Sequence, residues 1–354
     1  MQGRVSDYNP ESLLADLSTA PPPGPSPATR SQQWTTPGQE TSESNIPPPG
    51  SDASRALKAQ KRWLWYEKQK RRRVPPTLSD SYKHYLQEVG AFLQLPQSTT
   101  DALLPIYISL LDDLIPVVDG STVYRNYSNG QSSQYLVRAM CLVACKAKQA
   151  APFLRLGPDE PVLGSLEFSG KILDGLDAAI KADLEPDRIT KVKILALMHL
   201  YNDGPGGLDR SSSCLSQAIS EAWAICLHWD FAGKDDREDC NFLWWSLRNL
   251  DRLNKPIMGA SPFLIDDTDI GIKRITPQAN SYRSQVMVVA TALGDIMKIA
   301  TRVYKASSAA FADDCFDFPS LEEVTSGLGF DSFHQLHRGA FYLPRSQART
   351  GWLH

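Results

Sequence analysis

The sequence predicts an all-α protein: a multi-helix domain built from packed helix pairs, carried behind a disordered N-terminal tail. Three observations lead there. From about Thr77 onward, apolar residues recur at spacings of three and four, the period of a helix with one buried face. Val-, Ile- and Thr-rich runs with alternating polarity are scarce, and turn pairs spaced for hairpins are rare. Ten of the 25 prolines fall in the first 50 residues, among Ser, Thr, Gly and Gln. A segment of that composition buries too little apolar surface to offset its ordering entropy.

The tail is therefore expected over residues 1–54. Within it, Glu11–Leu17 is an apolar-acidic island that either fluctuates or folds as a helix on a partner. A basic linker is expected over 55–76. Lys58–Arg73 holds eight Lys or Arg in sixteen residues, with Glu67 as its one acid, before Pro75-Pro76 stops any helix. Its end, Lys68, Lys70, Arg71, Arg72 and Arg73, fits a nuclear-import signal or a nucleic-acid contact through phosphates. It also fits a solvated helix whose long cationic stems shield the nearby tryptophans.

The helical domain is expected over 77–310. Ser98-Thr-Thr-Asp101 is expected to cap a helix carrying Leu103, Leu104, Tyr107, Leu110, Leu111 and Leu114. Pro105 would fall within about its first turn, and the helix would end near Ile115-Pro116. Gln134–Ala150 and Gly170–Ala182 continue the helical period. Asp187 is expected to cap a nearly all-apolar helix that includes Ile189, Val192, Leu195 and Met198. Asn202–Gly207 breaks the chain before a helix over Ser211–Leu227. The acidic run Asp235–Asp239 leads into Phe242–Leu253, where carboxylates favour the positive end of the helix dipole. Ile257–Pro262 ends that helix, and a last long helix spans Gln285–Ser307. Residues 311–354 are expected to be irregular, their polar end Arg345–His354 marking a truncated or alternatively spliced product.

At 354 residues, 42% hydrophobic and 22% charged, the composition is that of an ordinary globular protein. A net charge of −3 argues against a uniformly basic nucleic-acid coat. Six cysteines are too few for a disulfide scaffold and point to a reducing compartment. No apolar run reaches bilayer length, and Ala102–Val118 is broken by Asp112 and Asp113, so no membrane partner is expected. There is no phosphate loop, dinucleotide fingerprint or nucleophile elbow. No catalytic residue and no metal ligand is assigned. His334 and His337 lack a third ligand, and the cysteines form no tight Cys-x-x-Cys pair. Cys141 and Cys145 suit core packing, and His199 and His228 read as hydrogen-bonded core or cap histidines. Asp266, Asp267 and Asp269 lack calcium-loop spacing and read as caps and solvated charges.

Phe242–Gly259, with its Trp244-Trp245 pair and Leu250-Asp251-Arg252 triplet, is followed by the acidic exit Ile265–Ile270. This segment resembles the middle, regulatory domain of fungal zinc-cluster transcription factors. Tyr85–Phe92 with Leu95-Pro96, Leu103–Asp119, and Ala196–Tyr201 with Ala218–His228 resemble its entry, first long helix and central helix pair, in that order. The resemblance covers about residues 82–275. As architecture, Trp244 and Trp245 should point to different sides, one filling the core and one a neighbouring groove. Arg248 should pair with Asp251 on the helix surface, and Arg252 should reach the exit loop carrying Asp266, Asp267 and Asp269.

The resemblance implies a nuclear, non-enzymatic regulator of transcription. A small-molecule effector, a regulator protein or the transcription machinery would shift a conformational equilibrium of the bundle. Family members bind DNA through an N-terminal zinc cluster of six cysteines. No cysteine precedes Cys141 here, so no cofactor is expected in this chain; zinc is expected only with a cluster it does not carry. The alternative is a cluster-less fragment or paralogue, a partner- or ligand-binding module without DNA binding of its own. A helical enzyme with a site assembled from distant residues is a third reading.

Overall fold

The computed structural model describes residues 52–70, 77–204, 207–230, 236–254, 262–303 and 319–328. Among them the fold is all-α, with no strand beyond one isolated bridge between Gln278 and Ser281. The disorder expected over 1–54 lies outside the described residues, except that Asp52–Ser54 already belong to helix α1 (Asp52–Lys70). The stretch expected as a linker thus holds a helix, most of whose side chains face solvent. Tyr66 is buried, and its hydroxyl donates to the Asp236 carboxylate at 3.3 Å. Lys70 reaches the same carboxylate at 2.5 Å, and Arg62 lies over the Trp229 ring at 5.2 Å. Cation and aromatic contacts therefore fasten α1 to the body by its C-terminal half.

Helix α2 (Asp80–Glu88) starts at Ser79, whose hydroxyl accepts from the Tyr82 amide. Helix α3 (Gln97–Tyr107) corrects the capping expectation, because Pro96, not the Ser98–Asp101 group, stands at its N-cap. Proline pre-sets a φ suited to a helix start. The hydroxyls of Thr99 and Thr100 donate to the carbonyls of Phe153 and Pro96 instead. Pro105 lies inside α3, well past the first turn, and the helix loosens into a π-helical turn at Ile108–Asp112. Asp119 caps α4 (Gly120–Ser128), accepting the Thr122 amide at 3.0 Å.

Helix α5 (Gln134–Ala144) is the hub, with every residue from Tyr135 to Ala144 buried. It packs against α3, α6 (Ser165–Lys181) and α7 (Arg188–Leu200). It stops six residues short of the expected Ala150. Ala147 turns to an extended ψ of 137°, and a 3₁₀ turn, Lys148–Phe153, follows. Asp187 caps α7 as its position predicts, accepting from the Thr190 amide at 2.8 Å. Helix α7 pairs with α8 (Gly207–Ala224), α8 meets α9 (Arg237–Leu253), and α9 lies along α10 (Tyr282–Val303). Helices α6 and α8 both leave through a non-glycine residue in the left-handed region, Asp183 (φ 53°) and Cys226 (φ 54°). The next amides, of Leu184 and Leu227, bond back to Ala179 and Ala222 and satisfy the helix-end carbonyls.

Within the segment expected to be irregular, Ser320 and Glu323 form a reciprocal capping box that starts α11 (Leu321–Gly327), which meets α10. His334, His337, Cys315 and Arg345–His354 lie outside the described residues. Cys141 and Cys145 are buried free thiols, and His199 is buried between Ser211 and Asn254, bonding each through a different ring nitrogen. Among the described residues, no helix is long and apolar enough to cross a membrane.

Candidate functional site

Helix α9 carries the residues singled out in the sequence, and nearly all of it is buried from Phe242 to Arg252. Glu238 and Asp239 occupy its first turn, where carboxylates offset the dipole, and Lys193 of α7 pairs with Asp239. A helix that buries Arg248, Asn249, Asp251 and Arg252 must supply each with partners, because an unpaired buried charge is costly. Those partners come from the exit loop and from α10.

Arg248 is 0% exposed. Its Nε and Nη2 donate to the two oxygens of Asp267, each at 3.2 Å, in the forked geometry that suits guanidinium and carboxylate. Its Nη1 donates to the Thr291 carbonyl at 3.0 Å, and Nη2 also pairs with Asp295. Arg252, also 0% exposed, donates to Asp267 at 2.6 Å and to Asp295 at 3.2 Å. Arg274 closes the far side of Asp295 at 2.7 Å, and Lys298 lies 3.5 Å from Asp267. A Cβ at Gly294 would fall 2.9 Å from Arg248 Nη1, so glycine there lets α10 approach the cluster.

Four cations thus surround two carboxylates and join α9, the exit loop and α10. Burial alone would raise Asp267, but the hydrogen bonds from Arg248 and Arg252 hold it well below the ordinary carboxylate range. Asp295 is shifted the same way: burial opposes, and Arg274 and Arg248 prevail. Both therefore stay ionised at neutral pH, and the cluster acts as a lock between elements.

The expected pairing of Arg248 with Asp251 is not formed. Asp251 Oδ2 accepts the amides of Leu264 at 2.8 Å and Ile265 at 3.1 Å, pinning the loop return, which leaves Arg248 to Asp267. Asp267 is part of the buried network and not a solvated charge. Asp266 is exposed and caps its own turn through the Thr268 amide at 3.1 Å, while Asp269 is exposed and stays outside the cluster. Lys68 is exposed and Lys70 is committed to Asp236; neither pairs with the cluster. Arg71, Arg72 and Arg73 lie outside the described residues. Asp295, Arg274 and Lys298 were not anticipated. Asp295, as the one acid within the apolar text of α10, was a readable signal.

The tryptophans are both buried and pack against different partners. Trp245 donates its Nε1–H to the Lys273 carbonyl at 3.0 Å, with the guanidiniums of Arg248 and Arg274 over its ring. Trp244 meets Trp223 edge-on at 4.9 Å and His228 at 5.3 Å. Burial in this aromatic cluster pushes the His228 imidazole down to about 4, with Asp269 opposing weakly. As pH falls, the unfolded chain takes up this proton before the folded one does. The stability held by neutral His228 is thus complete above about pH 6.5 and lost progressively toward pH 4, in total about 3 kcal/mol. Unfolding free energies from urea denaturation at pH 7 and pH 5 should differ by roughly 2 kcal/mol from this residue. His228→Phe should flatten that interval, and an equally steep profile in the variant would remove His228 as its source.

Comparison with known proteins adds a distant relation. Over 194 residues the chain is 25% identical to "Cutinase transcription factor 1 alpha" of Fusarium vanettenii, a match covering 52% of this chain and 21% of that protein. The chain thus spans about a fifth of the length of the curated relative it matches. No family model matches it, and no solved structure matches it. The chain is distantly related to a fungal transcription factor.

Proposed function

We propose that the chain is a transcription regulator of the fungal zinc-cluster type, working in the nucleus through the helical regulatory domain at 77–310. The observation that carries this reading is the 194-residue similarity to a fungal transcription factor, joined to the ordered motifs ending in the α9 segment. In such a module the task is to hold and transmit a conformational state. A cluster of charges locking three elements is suited to that, because its alternatives are discrete.

In this reading the chain works on the transcription machinery or a regulator protein. The test is to tether the full chain to a heterologous DNA-binding domain upstream of a reporter. A several-fold change in transcription, in either direction, is expected; a reporter indistinguishable from the tether alone overturns the reading.

The basic run Lys68, Lys70 and Arg71–Arg73 is proposed as the import signal. Lys70 is engaged with Asp236, so the informative variant neutralises Lys68 and Arg71–Arg73 and leaves Lys70 in place. Nuclear accumulation of the tagged chain is expected to fall; unchanged location contradicts the assignment.

A further inference from the structure

Arg138 interrupts the apolar run of α5 and is only 1% exposed. Its Nη1 donates to the Ala91 carbonyl at 2.8 Å and its Nη2 to the Gly90 carbonyl at 3.0 Å. A guanidinium carries five N–H donors, and here the Nε–H meets no acceptor. Arg248 and Arg252 are each matched by carboxylates, whereas none among the described residues pairs with Arg138. Burial pushes its guanidinium down to about 10, which leaves it cationic at neutral pH. A buried charge without a counter-ion is unusual, and the buried Arg248 and Arg252 each have carboxylate partners.

Arg138 is one of the residues that line a cleft of about 380 Å³ between the α2–α3 corner, α3, the α4–α5 turn and the start of α5. That volume lies within the range of small-molecule sites, which combine an apolar wall with a few placed polar groups. Leu93, Leu95 and Val137 supply the wall; Tyr127, Ser132 and Gln134 supply polar atoms. Burial and the nearby Asp101 carboxylate raise the Tyr127 phenol above its ordinary range.

We propose that this cleft binds a small organic carboxylate, with Arg138 as its counter-ion and the leucines against its apolar body. A carboxylate fits better than a phosphate: one cation, two of whose nitrogens already serve carbonyls, offers few donors, and half the lining is apolar. Binding itself does not depend on the transcription reading; only the ligand's role as an effector does.

The test is calorimetric titration of the full chain with phenylacetate, with its uncharged isostere phenylacetamide, and with inorganic phosphate. Saturable phenylacetate binding is expected, with the amide and phosphate each weaker by roughly tenfold or more. Arg138→Met should abolish the charge preference. Because that variant also frees two carbonyls, Gln134→Glu provides a second arm. An acid at the first position of α5 suits the helix dipole, so the fold is kept while an anion in the cleft is repelled. Phenylacetate affinity should fall roughly tenfold in it. Absent phenylacetate binding, equal affinity for the amide, preference for phosphate, or an unaffected Gln134→Glu variant would each overturn the proposal. The titration is read on purified protein, so its failure leaves the tethered-reporter result standing.

Discussion

Arg248→Met is expected to lower unfolding stability by about 3–5 kcal/mol, the range for breaking a buried ion pair from one side. The methionine fills much of the volume, so the loss is electrostatic. It removes both bonds to Asp267 and the donor to the Thr291 carbonyl. Asp267 and Asp295 retain Arg252, Lys298 and Arg274, which keeps the loss from being larger. Arg248→Lys should recover only part of it, because a single ammonium cannot reproduce the fork. Urea denaturation with an unchanged m-value is the measurement. An unfolding free energy within about 0.5 kcal/mol of wild type would show that the network contributes geometry without net stability.

Gly175→Ala should also be severe, at about 3 kcal/mol, although it adds a single methyl group. A Cβ there would lie 2.4 Å from the Gly90 carbonyl oxygen and 2.5 Å from Arg138 Nη2. Neither neighbour yields easily. Gly90 holds φ at +78°, and its carbonyl accepts Arg138, which is itself fixed by Ala91. Helix α6 would have to back away from the α2–α3 corner. The same urea measurement reads the result, and a loss below about 1 kcal/mol would mean that the corner shifts cheaply. Gly170, on the same helix, has open space around its Cβ position, so Gly170→Ala is the matched control.

Much of this architecture was legible as local pattern. Asp187 before an apolar run, the acids ahead of Phe242 and the three- and four-residue periods all act within a turn or two, the range over which capping, dipole and amphipathic burial operate. Arg252 reaching the exit loop was readable for the same reason, since the loop follows directly. What escaped was set by packing. Arg248 finds Asp295 across 47 positions, a pairing fixed by how α10 crosses α9 and by the absence of a side chain at Gly294. Arg138 was visible as the lone charge between Tyr135 and Ala144, yet a list of apolar positions passes over it. The start of α3 lies at Pro96, which makes no side-chain cap, so the Ser98–Asp101 group that reads as a cap falls inside the helix.

Amide hydrogen exchange on Asp295→Asn, compared with wild type, asks most directly whether the charge cluster binds three elements into one unit. Loss of that carboxylate should lower protection in α9, the exit loop and α10 together and by similar free energies, because each leans on the same lock. Faster exchange confined to α10, with α9 and the loop unchanged, would contradict the account and reduce the cluster to a set of independent ion pairs.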